Sequence, residues 1–128
     1  VVDGASVLPP ETKTMLETRL ADVERQSKHQ FVVVTVKSLG GHVIEDYSRT
    51  LLNSWGIGRK GYNDGVGLIV APTERKVRIQ VGYGLEKSLT DAEAGAIIEK
   101  DILPRFKAGD VPGGITAGSE AIIGEITQ

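Results

Sequence analysis

The chain has 128 residues, 40% hydrophobic and 25% charged, which suffices for one compact domain with its own core and is too little for two. Its 15 basic and 17 acidic side chains leave a net charge of -2, which speaks against a protein that coats duplex nucleic acid with a basic stripe. The absence of cysteine removes disulfide frameworks, thiolate metal sites, iron–sulfur clusters and cysteine nucleophiles together.

Residues 1–8 read as a short extended segment, and Pro9-Pro10-Glu11 as a helix start, since proline is tolerated in the first helical turn. Leu16, Leu20 and Val23 then share one face of a helix expected to end near Lys28. Phe31-Val32-Val33-Val34-Thr35-Val36 is a β-branched apolar run of the kind buried on both faces of a sheet, and is expected to be its central strand. After Gly40-Gly41, the spacing of Ile44, Tyr47, Leu51 and Trp55 predicts an amphipathic helix closing at Gly56 or Gly58. Trp55 is expected in the core, since so few aromatics make no stacking platform for single-stranded nucleic acid.

Val66-Gly67-Leu68-Ile69-Val70-Ala71 predicts a second buried strand, parallel to the first through a right-handed crossover. Pro72-Thr73-Glu74-Arg75 reads as a turn, and Lys76 to Val81 alternates polar and apolar residues, as an antiparallel strand near an edge does. Thr90 and Glu93 form a capping box before a helix whose apolar face is Ile97, Ile98 and Ile102, and Pro104 is expected to end or kink it. Asp110 before Pro112 predicts a last helix with Ile115, Ile122 and Ile126 inward, its glycines requiring packing to hold it. The expected fold class is α/β: a small mixed β-sheet sandwiched between helices, in a single domain.

Connectivity brings two polar, glycine-rich loops to one sheet edge, because one leads into the second strand and the other leaves its antiparallel neighbour. Arg59, Tyr62 and Asp64 from the first loop are therefore expected near Tyr83, Glu86 and Asp91 from the second. Oxygen donors on such loops suit a hard cation, Ca²⁺ or Mg²⁺. A phosphate ester meeting that cation would have a phosphoryl oxygen polarised or a bound water activated, with Arg59 neutralising charge. Plain structural roles compete: Asn63-Asp64-Gly65 as a turn with Asp64 bonding local backbone, Asp91 as a favourable charge at a helix N-terminus, and Glu86 and Arg59 as solvated loop charges.

Gly82-Tyr83-Gly84 lacks the third glycine of a dinucleotide fingerprint, and no P-loop, His-Glu-x-x-His, Gly-x-Ser-x-Gly or EF-hand spacing is present. The two histidines, His29 and His42, fall at opposite ends of the central strand and make no catalytic pair. No apolar run approaches the roughly 18 to 20 residues that span a bilayer. A start at Val1 in place of Met reads as a processed or trimmed terminus, which leaves room for a signal or anchor ahead of it.

Val2-Asp3-Gly4-Ala5 with Val7-Leu8, Trp55-Gly56-Ile57-Gly58, Asp64-Gly65-Val66, Arg78 through Glu86, Thr90-Asp91 and Phe106 through Asp110 together resemble the TPM domain family over nearly the whole chain. The resemblance implies an α/β sandwich outside the cytoplasm, in the periplasm, cell envelope or thylakoid lumen, often with a membrane anchor in the full-length protein. It implies a role in membrane-protein or envelope maintenance, as in photosystem II repair, with a partner there and not on nucleic acid. Some relatives bind calcium and show weak acid phosphatase activity.

The resemblance also implies an acidic groove drawing on Asp3, Asp64, Glu86 and Asp91, with Asp110 a further candidate beside Arg59, Tyr62 and Tyr83. Two readings follow: a divalent-cation-binding interaction domain, and a low-activity, metal-assisted phosphatase acting on phosphomonoesters. The positive charges of Arg59 and Lys60 lower the expected cation affinity to the order of 10⁻⁴ to 10⁻³ M.

Overall fold

Strands form where the β-branched runs predict them and helices where the apolar spacing is helical. The computed structural model describes residues 1–59 and 61–127, so Lys60 lies outside the described residues. The elements in chain order are β1 (Val2–Asp3), α1 (Pro10–Ser27), β2 (Gln30–Thr35), α2 (Ile44–Trp55), β3 (Gly65–Ala71), β4 (Lys76–Val81), α3 (Asp91–Ile97), α4 (Leu103–Lys107) and α5 (Val111–Ile126).

The sheet has the order β1-β2-β3-β4. β1 and β2 are parallel, with Asp3 opposite Thr35; β2 and β3 are parallel, with Gln30 opposite Gly65; β3 and β4 are antiparallel, with Ala71 opposite Lys76. The connection between β3 and β4 is the expected turn, closed by the Arg75 N–H donating to the Pro72 carbonyl at 3.2 Å. Every residue of β3 is buried, which is why that run carries no polar residue.

Side-chain alternation along the strands divides the core in two. Phe31, Val33, Val66, Leu68 and Val70 face α1, α3 and α5, meeting Leu16, Leu20, Ile97, Ile115 and Ile122. Val34, Ile69 and Ala71 face the other way, toward Ile44 and Leu39 at the start of α2. Each fully buried aliphatic side chain contributes about 1.5 to 3 kcal/mol, so this two-sided burial is the main stabilising term. Both crossovers step the same way across the sheet while α1 and α2 lie on opposite faces, so the two connections have opposite hands and one departs from the usual right-handed rule.

One expectation is corrected and another is narrowed. Trp55 does not join the core: it is 43% exposed, and the buried residues of α2 are Ile44, Ser48 and Leu52. As the last residue of α2 it lines a shallow surface groove with Val2, Tyr47 and Leu51, where the two-residue β1 leaves little sheet beneath the ring. Of the end or kink expected at Pro104, the end does not occur, and the regular helix is interrupted just before it. A π-helical turn over Ile98–Ile102, with the Leu103 N–H donating to the Ile98 carbonyl, precedes it, and the chain continues as α4. The wider turn relieves the clash of a proline ring with the carbonyl four residues back.

The glycines of α5 are explained by packing. A methyl group on Gly118 would lie 2.5 Å from the Ile102 Cδ1 atom, and one on Gly114 would lie 2.5 Å from the Phe106 ring, so α5 approaches its neighbours too closely for larger residues.

Candidate functional site

The loop from Gly56 to Asp64 and the loop from Gly82 to Thr90 meet at one edge of the sheet, as the strand directions require. The Gly82 N–H donates to the Gly65 carbonyl at 2.7 Å, and the Gly84 N–H donates to the Asn63 carbonyl at 2.9 Å. Only glycine permits this stacking. A Cβ on Gly82 would fall 2.4 Å from the Asn63 oxygen, and one on Gly84 would fall 1.9 Å from the Tyr62 oxygen. The glycines of the motif therefore serve loop-on-loop contact and not the approach of a phosphate.

Asp64 fixes the first loop from inside. Only 2% exposed, it accepts from the Arg59 backbone N–H at 2.7 Å, from Arg59 Nε at 2.8 Å and from His29 Nδ1 at 3.0 Å. The Gln30 side chain adds a second tie, accepting from the Gly58 N–H at 2.6 Å. Burial alone would raise the Asp64 pKa, but the bonds from the Arg59 backbone, His29 and the Arg59 side chain, with the guanidinium charge, together lower it. Asp64 is thus an ionised staple with its oxygens occupied.

The same bonds set out the loop's exposed face. With its Nε on Asp64, the Arg59 guanidinium lies over the Tyr62 ring, 4.0 Å from the centroid. Tyr62 is 62% exposed, and Tyr83, on the facing loop, is 80% exposed above a short 3₁₀ turn anchored by buried Leu85. A cleft of about 340 Å³, lined by Arg49, Asn53, Ile57, Asn63, Gln80 and Tyr83, runs from this edge toward α2. Two aromatic rings are therefore held outward on backbone whose own hydrogen bonds fix it.

Of the acidic candidates, Asp64 and Glu86 belong to these loops and Asp91 directly follows the second as the first residue of α3, whereas Asp3 and Asp110 lie elsewhere. Asp3 stands at the C-terminal end of β2, roughly 17 Å along that strand from the Asp64 end. Its carboxylate accepts from the Val7 and Leu8 N–H groups at 3.0 and 2.9 Å and from the Thr35 hydroxyl at 2.6 Å. Burial would raise its pKa, but the Thr35, Leu8 and Val7 bonds, with the nearby charge of Lys13, lower it. Asp110 caps α5, accepting from the Gly113 N–H at 2.9 Å. The parallel pairing of β1 with β2 puts Asp3 at the far end of the sheet, and a groove shared by Val111 with the β3–β4 turn places the start of α5 at that end too.

Glu86 and Asp91 are exposed, and Asp91 opens α3 beside the Thr90–Glu93 capping box. Among the described residues no three His, Asp or Glu side chains converge as a metal centre needs. These acids do not form one closed cation site, because both oxygens of Asp3 and of Asp64 already accept from N–H or O–H donors while Glu86 and Asp91 face water.

His29 and Gln30 are the residues of this region that sequence reasoning leaves unassigned. The signal for them lies in the register: strands parallel and in step from Gln30 and Gly65 place the residues just before each, His29 and Asp64, side by side.

A family model described as TPM domain matches residues 1–125. Among solved structures, the N-terminal domain of a protein from P. gingivalis superposes with a TM-score of 0.91 at 30% identity, covering 98% of this chain and 80% of that one. The BA42 protein of the psychrophilic bacterium Bizionia argentinensis gives a TM-score of 0.80 at 17% identity, covering 95% of this chain and 83% of that one. The N-terminal domain of the cg2496 protein of Corynebacterium glutamicum gives 0.72 at 20% identity, covering 96% and 76%. The last two are likenesses of fold alone. No curated protein matches the chain.

Proposed function

The chain belongs to the TPM domain family, and on that premise we propose that it is an extracytoplasmic interaction domain that engages a membrane-protein or envelope partner through its two-loop edge. The observation that carries this reading is the pair of exposed tyrosines, Tyr62 and Tyr83, on loops that glycine stacking and the Asp64 staple hold rigid. Rigid aromatic side chains with little entropy left to lose are the residues that dominate binding energy at protein interfaces. Family membership is the support for a location outside the cytoplasm and for a role in envelope or membrane-protein maintenance.

Divalent cations enter this reading as weak ligands of the exposed Glu86 and Asp91, with affinity on the order of 10⁻⁴ to 10⁻³ M. An amide spectrum titrated with calcium should shift at these residues in that range, and saturation below about a micromolar would refute weak binding.

The decisive experiment is photo-crosslinking in intact cells from a probe placed at Tyr62 or Tyr83, with a probe at the exposed Glu17 of α1 as control. A membrane-protein adduct from the loop positions, absent from Glu17 and lost in Gly84→Val, is the expected result. Adducts of equal yield from all three positions would sink the proposal.

Hydrolysis of phosphomonoesters is a second reading, favoured by one observation. Arg59, Arg25, Lys28 and Gln30, together with Glu24, line a surface hollow of about 370 Å³, and its Arg59 shares the Asp64 carboxylate with His29. In this reading Arg59 and Lys28 neutralise the phosphoryl oxygens, water attacks phosphorus as the ester P–O bond breaks, and a doubly protonated His29, held at Nδ1 by Asp64, gives its Nε2 proton to the leaving oxygen. Turnover of an aryl phosphate that falls at least about tenfold in both Arg59→Gln and His29→Gln would support it. Unchanged turnover in those variants would remove it.

A further inference from the structure

At the opposite end of the sheet from the two loops, the β3–β4 turn and α4 enclose a groove of about 600 Å³, within the range of small-ligand sites. Its apolar surface comes from Pro72, Leu103, Phe106 and Val111, over the buried strand end at Val70 and Ala71. The polar side chains that line it are Arg75, Lys76 and Lys107, and no acid lines it, although the chain as a whole is slightly acidic. None of these three cations forms an ion pair among the described residues. The acid of the turn, Glu74, is directed away, accepting from the Leu39 N–H at 2.6 Å, and Asp110 is engaged in capping α5.

Arg75 stands out twice. Arg19, Arg25, Arg49, Arg59, Arg78 and Arg105 each donate to a carboxylate, amide or carbonyl oxygen, whereas Arg75 makes no such side-chain bond among the described residues. It also occupies the left-handed region at φ 57, where glycine or asparagine would sit without strain. The left-handed backbone alone does not call for a ligand, since Lys28 ends α1 in the same conformation, but an unpartnered guanidinium beside an apolar groove with two further cations does.

We propose that this groove binds a single-chain anionic amphiphile, a molecule with one carboxylate or phosphate head and one unbranched apolar tail, taken up as a monomer. The head meets Arg75, Lys76 and Lys107, and the tail lies along Leu103, Phe106 and Val111. Charge selects the head, because three cations with no acid among the lining residues stabilise an anion and reject a cation. The apolar floor selects the tail, because its burial removes hydrocarbon from water on both sides. A protein partner needs an interface of about 1,000 Å² or more, whereas this groove has the dimensions of a small-molecule cleft.

The test is an isotope-labelled amide titration with dodecanoate and, separately, dodecyl phosphate, each below its micelle-forming concentration. Saturable shifts confined to residues around Val70, Lys76, Phe106 and Val111 are expected. The neutral glycerol ester of the same chain should bind at least about tenfold more weakly, as should the Arg75→Gly/Lys107→Gln variant. Glycine at position 75 removes the guanidinium while relieving the backbone, so an unchanged amide spectrum elsewhere will separate lost binding from lost folding. Shifts that do not saturate, equal binding of the neutral ester, or undiminished affinity in the variant would overturn the proposal. So would binding to anionic phospholipid vesicles with none to either monomeric amphiphile.

Discussion

Asp3 and Asp64 are the same residue type, each accepting three hydrogen bonds at one end of β2, yet they do different work. Asp3 bonds neutral groups, two backbone N–H groups and the Thr35 hydroxyl, and so fixes the turn that leads from β1 toward α1. Asp64 bonds the guanidinium of Arg59 and the imidazole of His29 as well as backbone, and so fixes a loop that presents side chains to the outside. A carboxylate in a family motif is thus no guide to metal binding until its lone pairs have been counted.

Replacing Asp64 with Ala should cost the most, about 3 kcal/mol of unfolding free energy in urea denaturation. The full penalty of a broken buried pair is not expected, because the 37% exposed Arg59 side chain can turn to water. Asp3→Asn, which keeps an acceptor for part of the network, should cost about 1 to 2 kcal/mol. Equal losses in the two variants would break the distinction between a charged and a neutral staple.

Acid sharpens it further. Both carboxyls are held below the ordinary 3.8 in the folded state, so folding favours their deprotonated forms. Their stabilisation is complete above the unfolded value and is lost as pH falls through the folded one. Urea midpoints should therefore drop on acidification below about pH 4, and by less in Asp64→Asn or Asp3→Asn than in the parent. A variant as acid-sensitive as the parent would show that its carboxyl contributes nothing. The smallest effect concerns salt: 1 M sodium chloride should cut the cost of Asp64→Ala by less than about 1 kcal/mol and that of Asp3→Asn, where the charge of Lys13 is the weakest of the influences on the carboxyl, by less still. Parallel denaturation series in the two ionic strengths measure this.

The strands, the three long helices and the meeting of the two loops are legible in the sequence because each follows from a pattern long enough to have a period or a direction. The run from Phe31 and the alternation from Lys76 determine which faces are buried, and the antiparallel step from β3 to β4 determines that Asp64 and Tyr83 share an edge. β1 is too short for any of this: two residues carry no periodicity, so neither its pairing nor the location of Asp3 is readable in advance. Trp55 lies on the apolar stripe of α2 but past the point where the sheet can cover it, and no property of the helix alone reveals where its neighbour stops. His29 is hidden for a related reason, since its partner is 35 residues away and only strand register unites them.

The sheet's two outer strands carry a consequence for how copies of this domain behave when crowded. An edge strand offers unpaired backbone groups to any other chain, and long, flat, apolar edges seed aggregation. Here one edge is β4, where Lys76 and Arg78 interrupt the apolar positions, while on the other side the two residues of β1 pair only with Val34 and Thr35, so that residues 30–33 of β2 form the rest of that edge. Sheet-to-sheet joining of neighbouring molecules is discouraged by charge at β4, so crowded copies that do join are expected to do so along the β2 side, where β1 stops short.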